Sequence, residues 1–231
     1  MPTVWGWLAL IVAGAVIFMQ AGRALYPFLA TDRPVGARLL VVEGWMSAAE
    51  LRQAIDVYRR GGYERMVTSG GPIEDDFECT TARSYAERAR AYVVAHGMTE
   101  EAVVAVPAPA SAQDRSYLNA VMVREWAMRS MPGVDALDVV SAGPHSRRTW
   151  LLYGRAFGPR VRVGIIAATP TEYDPGAWWR KSIGAKDVLM EAIGWAWTEL
   201  FFHPAPPGSQ DEIWGGARGV LLHRGIARAK M

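Results

Sequence analysis

Five short, largely apolar segments occupy this 231-residue chain, each separated from the next by a longer segment of helical pattern. They are residues 39–42, 65–69, 103–106, 137–141 and 161–167. Strands that are apolar throughout are buried on both faces, which is typical of a parallel sheet covered by helices on both sides. The alternation predicts an α/β fold: a Rossmann-like, doubly wound parallel sheet of about five strands, in the order 3-2-1-4-5.

Start and stop signals bound the helices between these strands. Ser47, with Glu50 three residues later, forms a capping box, and Gly61-Gly62 ends the helix that follows it at about residue 60. The other helices are predicted at about 80–96, 116–131, 145–157 and 185–202. The segment that contains Pro27 and Pro34 is predicted to be a loop.

The last predicted helix is unusually apolar, and its large side chains are Met190, Ile193, Trp197 and Phe201. A helix in a Rossmann-like layer buries one face, so we expect these side chains to pack on the sheet. Contact with lipid is the alternative, because large apolar and aromatic side chains also bury at a membrane interface.

A near-uninterrupted apolar run, residues 4–19, precedes the domain and carries no charge before Arg23. Roughly 20 apolar residues span a bilayer as a helix. A cleaved signal peptide needs a basic start, and Met1-Pro2-Thr3 offers only the terminal amine. A buried helix of a soluble protein is the other alternative. We expect 1–24 to be a transmembrane anchor, 37–205 the α/β domain and 206–231 a C-terminal tail.

Composition and net charge restrict the kinds of ligand and partner that the chain can bind. The net charge of +2 and the scattered Arg residues argue against a nucleic-acid-binding surface. Cys79 is the single cysteine, so neither an intramolecular disulfide nor a cysteine metal site can form. No His-x-x-x-His pattern or carboxylate cluster predicts a metal.

Ligands of doubly wound folds bind beyond the carboxyl ends of the strands, so the residues that follow each strand are the candidate site. Glu43 follows the first strand and is a candidate acid or base, with a solvated loop residue as the alternative. Ser69, Gly70 and Gly71 follow the second strand. Their backbone amides can form an anion-binding nest, although glycine pairs are also common in ordinary turns.

His145 follows the fourth strand, at the start of a helix whose first turn holds Arg147 and Arg148. Cations at a helix N-terminus oppose the macrodipole, so helix stability does not explain them. An anionic ligand bound at this helix start would explain both Arg residues. The alternative is that both Arg side chains are solvated or paired with a carboxylate. His145 is the candidate general acid or base, because it titrates near neutral pH.

A polar cluster, Asp114, Arg115, Ser116 and Asn119, opens the helix after the third strand. Asp114 or Ser116 is expected to serve as the N-cap. Arg115 can add a bidentate contact to an anion. Asp114 is the second candidate, beside Glu43, for orienting His145 or activating water.

Three motifs in this order resemble the DUF218 family, the ElyC/SanA/YdcF group of bacterial envelope-associated proteins. They are the strand-end Ser69-Gly70-Gly71, the helix start Ser116-Tyr117-Leu118-Asn119-Ala120, and the strand followed by His-x-x-Arg at His145 to Arg148. The resemblance covers about residues 38–170. It departs from the family at 42–45, where a Gly-rich turn is usual, and it lacks the acidic residue that the family usually carries ahead of the Ser/Thr-x-x-Asn motif, with Pro109-Ala110 nearby instead.

The resemblance implies a Rossmann-like domain, often anchored by an N-terminal span, with a role in the cell envelope. Some members are linked to peptidoglycan or undecaprenyl-lipid metabolism, and one branch is reported to bind S-adenosylmethionine. We therefore expect an envelope protein, as an enzyme a hydrolase or transferase, for a phosphate-bearing or lipid-linked substrate. A non-catalytic binding module for a nucleotide-like ligand such as S-adenosylmethionine is the alternative, with Glu43 as its ribose-binding acid.

The charge distribution and the family resemblance place the α/β domain on different sides of the membrane. Arg23, Arg33 and Arg38 follow the apolar run and no basic side chain precedes it, which favours a cytoplasmic domain. The resemblance to the SanA branch favours the outer face of the bacterial inner membrane, and we adopt that expectation.

Overall fold

The sheet is the one that the sequence predicts. A computed structural model describes residues 3–73, 82–111 and 114–209. The five strands are β1 Leu39–Glu43, β2 Arg65–Gly70, β3 Val103–Pro107, β4 Ala136–Ala142 and β5 Arg162–Ala168. All four pairings are parallel, and the strand order is β3-β2-β1-β4-β5. The predicted fold class and strand order are therefore confirmed.

Six α-helices accompany the sheet in the described residues. They are α1 Val4–Leu29, α2 Ala48–Gly61, α3 Tyr85–Ala95, α4 Arg115–Ser130, α5 Ser146–Phe157 and α6 Ser182–Phe201. Short 3-10 turns at Gly143–His145 and Pro175–Arg180 precede the last two. The capping box of α2 is present, and Gly62 follows it with φ 69°. Ser84 caps α3, and its predicted start near residue 80 lies outside the described residues.

Alternate side chains of the central strands enter two separate cores. Leu39 and Val41 of β1 pack on one face with α4 and α5, together with Tyr153. Leu40 and Val42 pack on the other face with α2 and α3. Both faces are thus covered, which explains why β1 is apolar up to its last residue, Glu43.

α1 is the one helix in the described residues that is long and apolar enough to cross a membrane, and its most apolar 18-residue window is not buried at all. The prediction of a loop at Pro27 is wrong, because α1 continues through it to Leu29. Tyr26 and Leu29 are buried against Trp178 and Val188, and this packing keeps the last turn helical.

α6 does not lie on the sheet as predicted. It contacts α1, α5 and the two 3-10 turns. Of its 20 residues only Gly184, Val188 and Thr198 are buried. The expected packing of Met190, Ile193, Trp197 and Phe201 is wrong, since all four are at least half exposed. The sheet faces are already covered by α2 to α5, which leaves α6 at the periphery.

Candidate functional site

A cavity of about 360 Å³ opens beyond the carboxyl ends of β1, β2 and β4, where the fold predicts a site. Seven of the predicted site residues line it: Gly70, Gly71, Arg115, Ser116, Asn119, His145 and Arg148. Two further lining residues, Trp45 and Glu191, were not predicted. The helix starts of α4 and α5 therefore meet the end of β2 at one place, as their position after the strands requires.

His145 is buried at the edge of this cavity, with 7% of its surface exposed. It ends the 3-10 turn after β4, so the strand end and the start of α5 fix its backbone. Its Nδ1 lies 2.9 Å from Glu191 Oε1. The ring of Trp45 packs against the imidazole, with ring centroids 4.9 Å apart.

Glu191 of α6 completes this cluster and is the main residue that sequence reasoning missed. Arg148 donates from Nε to Glu191 Oε2 at 2.9 Å and from Nη2 to Oε1 at 3.0 Å, a bidentate pair. Burial alone would raise the pKa of Glu191, but the charge of His145 and hydrogen bonds from His145 and Arg148 lower it to about 2. Glu191 is therefore ionised at neutral pH.

A signal for Glu191 exists in the sequence. Asp187 and Glu191 are four residues apart in a helix that is otherwise strongly apolar, so both carboxylates share one face. That face turns toward the domain: Asp187 accepts a 2.5 Å hydrogen bond from the Tyr173 hydroxyl. Burial raises the pKa of Asp187. A pair of acids on one side of an apolar helix points to polar partners inside the fold.

Nδ1 of His145 has two charged neighbours that favour opposite protonation states. Arg148 Nη2 lies 3.0 Å away and can only donate, which suits an unprotonated Nδ1, but Nη2 already donates to Glu191 Oε1. An unprotonated Nδ1 would direct its lone pair at the ionised Glu191, 2.9 Å away. The Nδ1–H form donates to that carboxylate instead. Because Glu191 accepts from a protonated Nδ1 and Arg148 Nη2 has another acceptor, we assign the proton of the neutral ring to Nδ1, which leaves Nε2 unprotonated.

Glu43 lies beneath His145 and is wholly buried. Its Oε2 accepts hydrogen bonds from Ser141 at 2.5 Å and from Thr149 at 3.2 Å. Its Oε1 has no hydrogen-bond partner, and neither has His145 Nε2. These two atoms face each other 3.8 Å apart. The alternative that Glu43 is a solvated loop residue is wrong, because it is the last residue of β1.

Besides Glu43, three predicted residues do not line the cavity. Ser69 is buried in β2, where its hydroxyl lies 3.2 Å from that of Tyr153. Arg147 donates from Nε to the Phe28 carbonyl and stacks on the Phe28 ring, so it is held against α1. Asp114 stands at the N-cap position of α4 in a left-handed conformation, φ 52°, without a side-chain capping bond. Burial raises the pKa of Asp114.

The two glycines after β2 have different surroundings. A Cβ on Gly70 would lie 2.6 Å from the Cβ of Tyr85, so Gly70 is required for the close approach of α3. A Cβ on Gly71 would meet nothing within 4 Å, so this residue lies open toward the cavity. The structural need for glycine therefore applies to Gly70, and Gly71 is the better candidate for contact with a ligand.

Asn119 adds a third buried polar atom without a partner. It is 7% exposed, and its Oδ1 has no hydrogen bond. Within residues 3–73, 82–111 and 114–209, no group of three His, Cys, Asp or Glu side chains is gathered as a metal site would require.

Comparisons with known proteins give this site no family: no protein-family model matches the chain, and no curated protein matches it.

Proposed function

We propose that this protein is a membrane-anchored envelope protein that binds and transforms a phosphate-bearing, lipid-linked substrate. As an enzyme it would be a hydrolase or transferase, with His145 as the general acid or base. The single observation that carries this proposal is the pair formed by Glu43 Oε1 and His145 Nε2. Both atoms are buried, neither has a hydrogen-bond partner, and they face each other across 3.8 Å, with His145 itself lining the cavity.

This pair is not what a purely structural cluster looks like. Buried polar atoms in proteins are nearly always hydrogen-bonded, so two neighbouring polar atoms without hydrogen-bond partners need an explanation. With the proton of neutral His145 on Nδ1, two lone pairs meet across 3.8 Å. A proton between them would pair both lone pairs, and a substrate group that delivers or takes this proton would give the two atoms a function. Such proton exchange with a substrate is what general acid–base catalysis requires.

The other side chains fit an anionic substrate. Arg148 is held in place by Glu191 and lines the cavity, where Arg115 and Gly71 lie as well. Arg147 has no part in this, because it contacts Phe28. Glu43 takes the role of orienting His145. Neither Glu43 nor Asp114, the other candidate for that role, lines the cavity, but Glu43 Oε1 lies 3.8 Å from His145 Nε2.

The alternative function, a binding module for a nucleotide-like ligand, needed Glu43 as a ribose-binding acid. Glu43 is wholly buried, and its bonded oxygen is engaged by Ser141 and Thr149. Because it does not line the cavity, it is not placed to receive ribose hydroxyl groups. The phosphate-bearing substrate is therefore the stronger proposal.

The lipid-linked character of the substrate and the envelope location rest on two supports. α1 is long and apolar enough to cross a membrane, and it enters the domain directly. The motif resemblance supplies the bacterial envelope and the outer face of the inner membrane. C-terminal fusions to alkaline phosphatase and to a fluorescent protein test the side: phosphatase activity is expected, and fluorescence alone would reverse the assignment.

A thermal-shift experiment on the full chain in detergent tests the ligand. A polyprenyl phosphate, a sugar phosphate, inorganic pyrophosphate and S-adenosylmethionine are compared. A ligand at about 100 times its Kd stabilises by roughly 2.7 kcal/mol, and we expect the phosphorylated lipid to do so. Arg148→Gln should abolish the shift, whereas the neighbouring Arg147→Gln should keep it. A shift with S-adenosylmethionine alone, or one insensitive to Arg148→Gln, would refute the proposal.

A further inference from the structure

α6 carries the largest exposed apolar surface outside α1. Ten large apolar side chains beyond α1 are exposed in the described residues, and seven are on this helix. They are Ile183, Leu189, Met190, Ile193, Trp197, Leu200 and Phe201, which together we name the outer face of α6. Their exposed fractions run from 44% for Ile183 to 68% for Phe201.

The outer face is one continuous side of the helix. Its members recur at intervals of three and four residues from Leu189 to Phe201, the spacing that places side chains on one face. The opposite side is polar or buried and serves the domain, with Asp187 bonded to Tyr173 and Glu191 to Arg148. α6 is thus amphipathic with its apolar side turned outward, the reverse of a helix that builds a core.

The outer face joins the surface of α1. Leu189 lines a groove of about 880 Å³ whose other wall includes Met19 and Leu25 of α1. Trp179, 44% exposed, lines the same groove. Through this groove the apolar surface continues from the helix that can cross a membrane onto α6.

Charge at this junction matches a lipid surface. Arg23, the first charged side chain after the apolar run, and Arg180 both line the groove and are exposed. Cationic side chains next to exposed Trp are typical of the level where lipid phosphates lie. Lys186 is the one exposed basic residue of α6, and a Lys stem can lie along apolar surface with its charge in water.

We infer that the outer face of α6 lies in the headgroup region of the bilayer, in the leaflet from which α1 emerges. The membrane is the occupant because the exposed apolar surface is continuous with α1 and bordered by Arg23 and Arg180. The outer face and the cavity are on opposite sides of α6. Membrane contact and the ligand of the cavity can therefore be tested separately.

The consequence for the site is geometric. Glu191 holds His145 and Arg148 from the polar side of the same helix whose other side rests on lipid. Membrane contact would fix α6, and with it Glu191, against the domain.

Fluorescence quenching in vesicles tests the contact on the full chain. Cys79→Ser removes the single cysteine, and Ile193→Cys then carries a nitrobenzoxadiazole label. In phosphatidylethanolamine–phosphatidylglycerol vesicles we expect blue-shifted emission at position 193 and strong quenching by doxyl-labelled phospholipid. The matched control is Met128→Cys, which is 49% exposed on α4 and should show neither effect.

Two results would overturn the inference. Water-like, unquenched emission at 193 would place the outer face in solvent. Blue-shifted emission that doxyl lipid does not quench, with energy transfer between labelled copies, would place a second copy of the chain there. Leu200→Cys, 65% exposed on the same face, provides an independent second position and must agree with residue 193.

Discussion

Two buried carboxylates at opposite ends of the sheet differ in what surrounds them. Asp138 of β4 lies near the amino end and Glu43 of β1 at the carboxyl end, and both are 0% exposed. Asp138 accepts from the amides of Val35 and Ala37, at 2.7 and 3.1 Å, and from the Tyr63 hydroxyl at 3.0 Å. Glu43 leaves one oxygen without a donor.

The comparison separates structure from function within one sheet. Every acceptor of Asp138 is used to hold residues 35–37 to the sheet, so its charge is balanced by fixed donors. Glu43 holds its free oxygen against a titratable imidazole beside a cavity, an arrangement that costs stability and has no structural use. Perturbed and unsatisfied groups of this kind cluster at functional sites.

Replacing Asp138 should have the largest effect on stability. Asp138→Ala leaves the buried amide of Ala37, the half-buried amide of Val35 and the Tyr63 hydroxyl without their acceptor, and each bond to a charged group is worth about 1.5–3 kcal/mol. We expect a loss of roughly 4 kcal/mol or more in thermal unfolding of the detergent-solubilised chain. Ligand shifts of any protein that still folds should be retained. A stable variant that has lost the ligand shift would break the comparison.

Glu191→Gln should have the second-largest effect on thermal stability, and that effect depends on pH. Because the fold lowers the pKa of Glu191 from 4.5 to about 2, its contribution is complete above about pH 5 and is lost as pH falls toward 2. The contribution at neutral pH is on the order of 3 kcal/mol, or roughly 6–12 °C in Tm. Tm curves of wild type and variant should therefore converge between pH 5 and 2. Parallel curves would contradict the assignment.

Glu43→Gln should barely change stability but impair function. The amide keeps the shape and an acceptor for Ser141 and Thr149, so we expect a change of about 1 kcal/mol or less. It replaces the carboxyl group that faces His145 Nε2 by an amide, which cannot exchange a proton with it, so turnover of a substrate found in the ligand screen should fall roughly 100-fold. His145→Gln serves as the matched catalytic variant. Full activity in Glu43→Gln would make Glu43 a second structural carboxylate like Asp138.

Glu64→Gln should have no measurable effect on Tm. It gives the stability change expected when an exposed carboxylate is replaced. Glu64 pairs with Arg38 near the amino end of the sheet, and the hydrogen bond from Arg38 lowers the pKa of Glu64. Both side chains are more than half exposed, so water and salt screen the pair. A Tm shift beyond the scatter of repeat scans would show that exposed charges at this end matter more than burial suggests.

The sheet could be predicted because its signals are local. Each strand is an apolar run between turn residues, and the capping box of α2 and Gly62 bound a helix without reference to the rest of the chain. The position of seven cavity residues followed from the rule that parallel strands present their carboxyl ends at one edge. Only the periodicity of apolar residues and the topology of the sheet are needed to predict these parts of the structure.

The parts that could not be predicted depend on long-range packing. Glu191 reaches Arg148 across 43 positions of sequence, and only the placement of α6 outside the sheet brings them together. Arg147 and Arg148 are neighbours in sequence, but adjacent side chains leave a helix about 100° apart, so one faces Phe28 and the other the cavity. Pro27 stays helical because Tyr26 and Leu29 are buried beside it.

Nitrogen NMR of the imidazole most directly tests the claim that the carboxyl end holds a proton-exchanging nitrogen. The chain has four His residues, and ¹⁵N-His labelling with His145→Gln as the assignment standard isolates the signal. We predict that neutral His145 is the Nδ1–H tautomer, with Nε2 unprotonated, and that Glu191→Gln shifts this balance. An Nε2–H tautomer in the wild type, unchanged by Glu191→Gln, would contradict the account.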